Sequence, residues 1–300
     1  MSSIDMKSCV KNCVKSFAPK SMPELSEALG ELTPDSKIIS GGTDLVIALN
    51  QRLYEPDALL YLGCIDGLSD IAETSEGIKI GAMATMADLA KCELLTGPYA
   101  ALRHAAADVG SVQIRSTATI GGNIANASPA GDIAPVLFLL DAFAIVAGKS
   151  NTRNVPIQSL LTGSGNTSLA YNEVITGFIL PDKWSRTVKS AFYKLGYRKA
   201  LTVSRISLAM LLDFDSDGFI TLADVVAGAI SPVPVFVKKA GQLMVGRKLG
   251  ANLAMEVGND VGKNLSELIL EITPEEFDRD YKAKAAFGIA NDIFERLCKS

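Results

Sequence analysis

STATIGGNIANASPAGD, Ser116 to Asp132, carries three glycines, two asparagines and a terminal aspartate, and no basic residue. Adjacent glycines such as Gly121–Gly122 allow positive φ and close approach of a ligand. Their N–H groups can then face phosphate oxygens as an anion nest, with no lysine required. A second stretch, IISGGTDL (38–45), repeats the design, with Gly41–Gly42 set between an apolar run and polar side chains. Thr43 and Thr119 offer hydroxyl donors, Asn123 and Asn126 both donate and accept, and Asp132 can accept from ribose or ribityl hydroxyls. Neither glycine pair is part of a G-x-G-x-x-G turn or a lysine-bearing phosphate loop. The expectation is a phosphate-bearing cofactor held by two bends that converge in space.

The rest of the chain narrows the chemistry. Its 300 residues make about two domains at ~150 residues each, and 48% hydrophobic composition is ample for a core. A formal charge of −4 without basic blocks leaves no footprint for nucleic acid or an anionic membrane. The N-terminus lacks the apolar run of a signal peptide, and the most apolar segment, Ile133 to Gly148, is broken by Pro135 and Asp141. A cytoplasmic protein is expected. Five cysteines read as reduced thiols. Cys9 and Cys13 form a lone C-x3-C, while Cys64, Cys92 and Cys298 are scattered, so no metal centre is expected. The single histidine, His104, lies in the helical pattern YAALRHAAADVG as a hydrogen-bonded or solvated side chain. One histidine leaves no Ser/His/Asp relay and no histidine-rich metal site. The catalytic residues are unknown, and the chemistry must come from an organic cofactor.

Helices and strands interleave along the chain. Capping patterns at Ser21–Glu24 and Thr85–Asp88 open helices PELSEALGEL and MADLAKCELL. Strands are read at 37–39, ALLYLG (58–63) and GIKIGAM (77–83). APVLFLLDAFAIVAG reads as a short helix followed by a buried strand. A Gly/Ser/Asn-rich segment, 162–174, is the candidate boundary. Beyond it VITGFIL, SAFYKLGYRK, SRISLAMLLDF and DGFITLADVVAGAI read as strands. Thr273–Pro274–Glu275–Glu276 then caps a long amphipathic helix reaching Cys298.

DFDSDGFITLAD (213–224) spaces Asp213, Asp215, Asp217, Gly218 and Asp224 as a calcium-binding EF-hand loop does, with Asp in place of the final Glu. An EF-hand needs helices on both sides. These flanks read as strands closed by a DSDG turn, so a hairpin is expected.

The chain resembles the FAD-binding medium subunits of molybdenum hydroxylases and the flavin domain of xanthine dehydrogenases. The residues carrying the likeness are SGGTDL (40–45), VGSVQIRSTATIGGNIANASPAGD (109–132), EVITGFILP (173–181), FYKLGYRKALTVSRISLA (192–209) and GAISPVPV (228–235). The resemblance implies an α+β fold: two α/β FAD-binding subdomains of the PCMH type (1–172), then a C-terminal α+β domain (173–300) with a small antiparallel sheet of three strands and helices. It implies FAD contacts from Ile39, Ser40, Gly41, Gly42, Thr43, Asp44 and Leu45, and from Thr119, Ile120, Gly121, Gly122 and Asn123, both loops wrapping the pyrophosphate. Asn126, Asp132, Ile175 and Arg205 match further cofactor positions, Arg205 standing where some relatives have Lys. The implied activity is electron transfer: a molybdopterin-containing large subunit oxidises the substrate, an iron–sulfur (2Fe–2S) small subunit relays electrons, and the flavin passes them to NAD or another acceptor. Thr202 departs from the Asp of many relatives, and Val109 from the flavin-stacking Phe of the eukaryotic xanthine enzymes. The alternatives are a stand-alone flavin oxidoreductase of the same fold group, for which no acid or substrate-anchoring set is visible, and a calcium-binding interaction module at Asp213–Asp224.

Overall fold

The computed structural model describes residues 14–185, 187–198, 201–272, 275 and 278–299. Cys9, Cys13 and the cap proposed at Thr273–Glu276 rest on residues outside this set. In chain order the elements are β1 (Lys15–Phe17), α1 (Met22–Leu29), β2 (Lys37–Ile39), α2 (Leu45–Asn50), β3 (Ala58–Tyr61), β4 (Ile71–Thr74), β5 (Gly77–Gly81), α3 (Met86–Lys91), α4 (Ala100–Asp108), α5 (Val112–Arg115), α6 (Ile120–Asn126), α7 (Ile133–Leu139), β6 (Phe143–Ala147), β7 (Thr152–Pro156), α8 (Ile157–Leu160), β8 (Leu161–Gly163), β9 (Asn166–Thr167) and β10 (Val174–Pro181). The C-terminal part adds β11 (Lys189–Leu195), β12 (Ile206–Phe214), β13 (Ile220–Gly228), β14 (Val235–Phe236), α9 (Lys238–Met244), α10 (Ala251–Ile272) and α11 (Arg279–Lys299).

The first layer is a parallel sheet in the order β1-β3-β2. Helix α1 starts where Ser21 Oγ accepts the Glu24 amide, and it buries Leu25, Ala28 and Leu29 against this sheet's own core. The second layer is antiparallel, in the order β4-β5-β10-β6-β7. Its helix α3 begins with the expected reciprocal cap: Thr85 Oγ1 accepts the Asp88 amide at 3.2 Å, and Asp88 Oδ2 accepts the Thr85 amide at 2.9 Å.

Residues 174–181, assigned from sequence to the second domain, form the central strand β10 of this five-stranded sheet. The strand is buried at seven successive positions, as a central strand covered on both faces must be. The Gly/Ser/Asn-rich stretch before it holds a small hairpin, β8–β9.

The C-terminal sheet runs β11-β12-β13-β14, so a short fourth strand joins the three expected. Strand β12 explains how this sheet is attached. Leu208, Met210 and Leu212 pack in the core shared with α9–α11, while Ala209 and Leu211 join the core of the first part. Alternating side chains therefore serve two cores, and the middle of the strand, 208–212, reads as an unbroken apolar run. The DSDG turn closes the β12–β13 hairpin, with Gly218 at φ +80° and Asp215 Oδ1 accepting the amides of Asp217 and Phe219. Strands thus occupy the positions where an EF-hand requires helices. Among the described residues no helix is long and apolar enough to cross a membrane.

His104 differs from its expectation. It lies on α4, whose alanines Ala101, Ala105 and Ala106 are buried and let the helix pack closely, and its Nδ1 is enclosed without a hydrogen-bond partner. Burial, then the charges of Arg296 and Arg103, lower its pKa from 6.5 to about 4. The unfolded chain therefore binds more protons between those values. Stability from this group is full above pH 6.5 and falls as pH drops toward 4. With the ring partly exposed, solvent screening leaves an effect of about 1–2 kcal/mol. Urea midpoints of the wild type and His104→Gln across this range check it, the variant showing the shallower loss.

Gly288 on α11 is exposed, and a Cβ there would meet nothing within 4 Å. Gly288→Ala is expected to stabilise the protein by about 0.5–1 kcal/mol through helix propensity, read as a raised Tm.

Candidate functional site: a cleft between two glycine-paired loops

The two loops meet. Residues 38–45, leaving β2, and Ala118, Thr119, Gly122, Asn123, Ala125 and Asn126, at the opening of α6, line one cleft of about 320 Å³. Thr119 joins them: its Oγ1 accepts the Gly122 amide at 3.1 Å as the N-cap of α6 and donates to Ser40 Oγ at 3.0 Å. Both glycine pairs allow close approach, by different means. A Cβ on Gly41 would lie 1.9 Å from the carbonyl oxygen of Thr117, so only glycine lets the two main chains touch. A Cβ on Gly121 would lie 2.7 Å from that of Ala82, and one on Gly122 would lie 2.8 Å from Ser40 Oγ. Only Gly42, at φ +70°, uses the left-handed region.

The donors are divided unequally. In the second loop the amides of Ile120 and Gly121 donate to Ala84 and Ala82 carbonyls at 3.0 and 2.9 Å, and those of Gly122 and Asn123 donate to Thr119. The expectation that both loops present main-chain donors therefore needs correction, because the second spends its amides on folding against the β5–α3 turn. In the first loop the amides of Gly41, Gly42, Thr43 and Asp44 donate to nothing among the described residues. Buried Asn123 Oδ1 also has no partner. Enclosed Asn123 Oδ1 calls for an outside partner, since buried polar groups are rarely left unpaired, and the first-loop amides, on residues that stay partly exposed, are open to one.

Of the sequence-derived residues, Ile39, Ser40, Gly41, Gly42, Thr43, Asp44, Leu45, Thr119, Gly122, Asn123 and Asn126 line the cleft. Ile120 and Gly121 lie behind its wall as packing residues. Three others stand elsewhere. Ile175 is core, at 3% exposure. Asp132 is buried between Lys194, which donates to Oδ2, and Ser204, which donates to Oδ1. Burial pushes its carboxyl above the ordinary range against the pull of Lys194 and Ser204. Arg205 pairs with Asp278 and lies 4.5 and 4.7 Å from the ring centroids of Tyr197 and Tyr281. Sequence reading missed Lys37 and Tyr54, which line the cleft with the Lys37 ammonium 4.7 Å from the centre of the Tyr54 ring. The only local signal for them was their distance in sequence from Gly41–Gly42.

A cleft lined by unpaired amides, the Asn123 side chain and two glycines closed to a Cβ fits a phosphate-bearing ligand. The family described as the FAD binding domain in molybdopterin dehydrogenase matches residues 12–183, and the chain belongs to it. The nicotinate dehydrogenase FAD-subunit of Eubacterium barkeri is 32% identical over 284 residues, covering 93% of this chain and 94% of the relative. The xanthine dehydrogenase FAD-binding subunit of Escherichia coli O157:H7 is 29% identical over 221 residues, 73% of this chain and 75% of its own. The crystal structure of quinoline 2-oxidoreductase from Pseudomonas putida 86 superposes with a TM-score of 0.83 at 22% identity, covering 96% and 97% of the two chains, which shows the shared fold. The cofactor is FAD, and the chain is a flavoprotein component of an oxidoreductase of the molybdenum hydroxylase type.

Proposed function

We propose that the chain is the electron-transferring FAD subunit of a molybdenum hydroxylase complex, working beside a molybdopterin-containing large subunit and an iron–sulfur small subunit. It collects electrons from the iron–sulfur partner and delivers them to NAD or another acceptor. FAD supplies the two-electron redox chemistry when bound. The residues present fit it: the unpaired amides of Gly41–Asp44 would take the diphosphate, with Thr43, Asn123 and Asn126 bonding polar groups of the cofactor. Convergence of the two glycine-paired loops on a single cleft is the observation that carries this reading. The wall of β2, α2 and α6 would exclude water from the bound diphosphate and strengthen each amide contact.

The absorbance spectrum of the purified chain supplemented with FAD tests it, flavin bands surviving gel filtration being the expected result. Gly122→Val should abolish retention, because the added side chain fills the gap beside Ser40 and Thr119. Asp217→Ala, in the distant β12–β13 turn, should leave it unchanged. Stoichiometric FAD in the Gly122 variant would contradict the site. Copurification with iron–sulfur and molybdenum subunits tests the partners.

A further inference from the structure

Lys282, on α11, is buried at 7% exposure, and its ammonium donates to the carbonyl oxygen of Ala229 at 3.0 Å, across 53 residues of sequence. An ammonium leaves water at low cost only where hydrogen bonds replace its lost hydration. The carbonyl it meets belongs to a residue in an uncommon conformation. Ala229 follows β13 at φ +61°, in the left-handed region that a residue with a Cβ enters at a cost. Such a conformation persists where its surroundings over-determine it. Both main-chain groups of Ala229 are engaged: the carbonyl by Lys282, and the amide by the carbonyl oxygen of Pro129 at 3.2 Å. Pro129 lies in the turn that leaves α6, the helix whose Gly122, Asn123 and Asn126 line the cleft. That turn opens at Ala127, itself at φ +46°, and closes with the Gly131 amide donating to the Ser128 carbonyl at 2.9 Å. It lies against the cleft wall, since a Cβ added at Gly131 would stand 3.6 Å from Asn123 Oδ1.

Resting on the proposed FAD site, we propose that Lys282 is a positioning residue for it, acting from outside the cleft. By holding Ala229 in the left-handed conformation, it keeps the Ala229 amide on Pro129 and fixes the turn 127–131 against Asn123. Loss of the ammonium frees Ala229 to relax to negative φ, which turns its amide away from Pro129. The turn then loosens, and the carboxamides of Asn123 and Asn126 lose the order they need to bond the cofactor. Among the described residues the C-terminal helices contribute nothing to the cleft lining. Through Lys282 one of them nevertheless sets the geometry of a wall.

The experiment combines hydrogen exchange of the full apo-chain with FAD titration followed by flavin fluorescence. Lys282→Met keeps the aliphatic stem and removes the ammonium. It should speed exchange at the Ala229 and Gly131 amides and raise the FAD dissociation constant roughly five- to tenfold, the size of coupling that residues outside a site exert on it. Adding Ala229→Gly to that variant should restore most of the affinity, because glycine holds the left-handed conformation unaided. A change that only destabilised the fold would not be rescued in this way. Leu253→Ala is the control for stability alone: it is buried in the same core at the end of the α10–α11 pair opposite Lys282, so it should lower the urea midpoint and leave FAD affinity unchanged. Unchanged exchange at both amides in Lys282→Met overturns the hold on the turn. Wild-type affinity in that variant, no recovery on adding Ala229→Gly, or equal weakening in Leu253→Ala overturns the positioning role while leaving the FAD site standing. Failure of the wild type to bind FAD at all overturns both.

Discussion

Gly41→Ala is expected to weaken FAD binding roughly 100-fold and to destabilise the chain by about 3 kcal/mol, at the upper end of overpacking effects. The added Cβ, whose position the backbone fixes, would stand 1.9 Å from the main-chain carbonyl oxygen of Thr117. No rotamer can relieve such a contact, so the loops at 40–44 and 117–123 must separate. Separation would break the Thr119–Ser40 hydrogen bond and widen the cleft between the Gly41–Asp44 amides and Asn123. Two measurements check it: the dissociation constant for FAD, and the urea midpoint of the apo-chain. Gly288→Ala is the matched control, adding the same methyl group in open space. An alanine variant that kept wild-type affinity would show that contact between the loops is dispensable for the cofactor.

The second large effect lies away from the cleft. Lys194→Met is expected to cost about 3–5 kcal/mol, because it leaves the Asp132 carboxylate buried without its counter-charge. The side chains of Lys194 and Asp132 are 9% and 7% exposed, and Lys194 also donates to the Thr202 carbonyl at 3.3 Å. The pair therefore ties the turn before α7 to the segment joining β11 and β12. Asp132→Asn combined with Lys194→Met should recover most of the loss, since removing both charges removes the penalty of leaving one unpaired. Urea denaturation of the two single variants and the double variant gives the coupling directly. Single-variant losses that simply add would show that the two groups act independently.

Several helices and strands were legible from local chemistry. Thr85 and Asp88 announce the start of α3, because the capping box satisfies its own donors within four residues. The β12–β13 hairpin was visible in DSDG and its apolar flanks, which also removed the calcium reading. Strand β10 was legible as a strand, but its pairing between β5 and β6 was not, since an apolar run states that it is buried and not which neighbours bury it. His104 failed for a related reason: its helix was readable, but the enclosure of Nδ1 depends on partners far away in sequence.

What the amino-acid order determined by itself was local: two bends where only small residues follow one another, the hydroxyl and carboxamide groups beside them, and the absence of basic or histidine chemistry that would point elsewhere. Only the tertiary structure decided what each glycine is for. Gly41 lets two main chains touch and Gly42 supplies the left-handed turn, whereas Gly121 packs against Ala82 and its amide is already bonded. The same decision brought Lys37 and Tyr54 into the cleft and gave Asp132 and Arg205 ion-pair partners within the fold. The physical reason is that a residue's type sets which bonds it can make. Which of those bonds are spent within the fold, and which stay open for a ligand, is settled by neighbours that meet only when the chain has closed on itself.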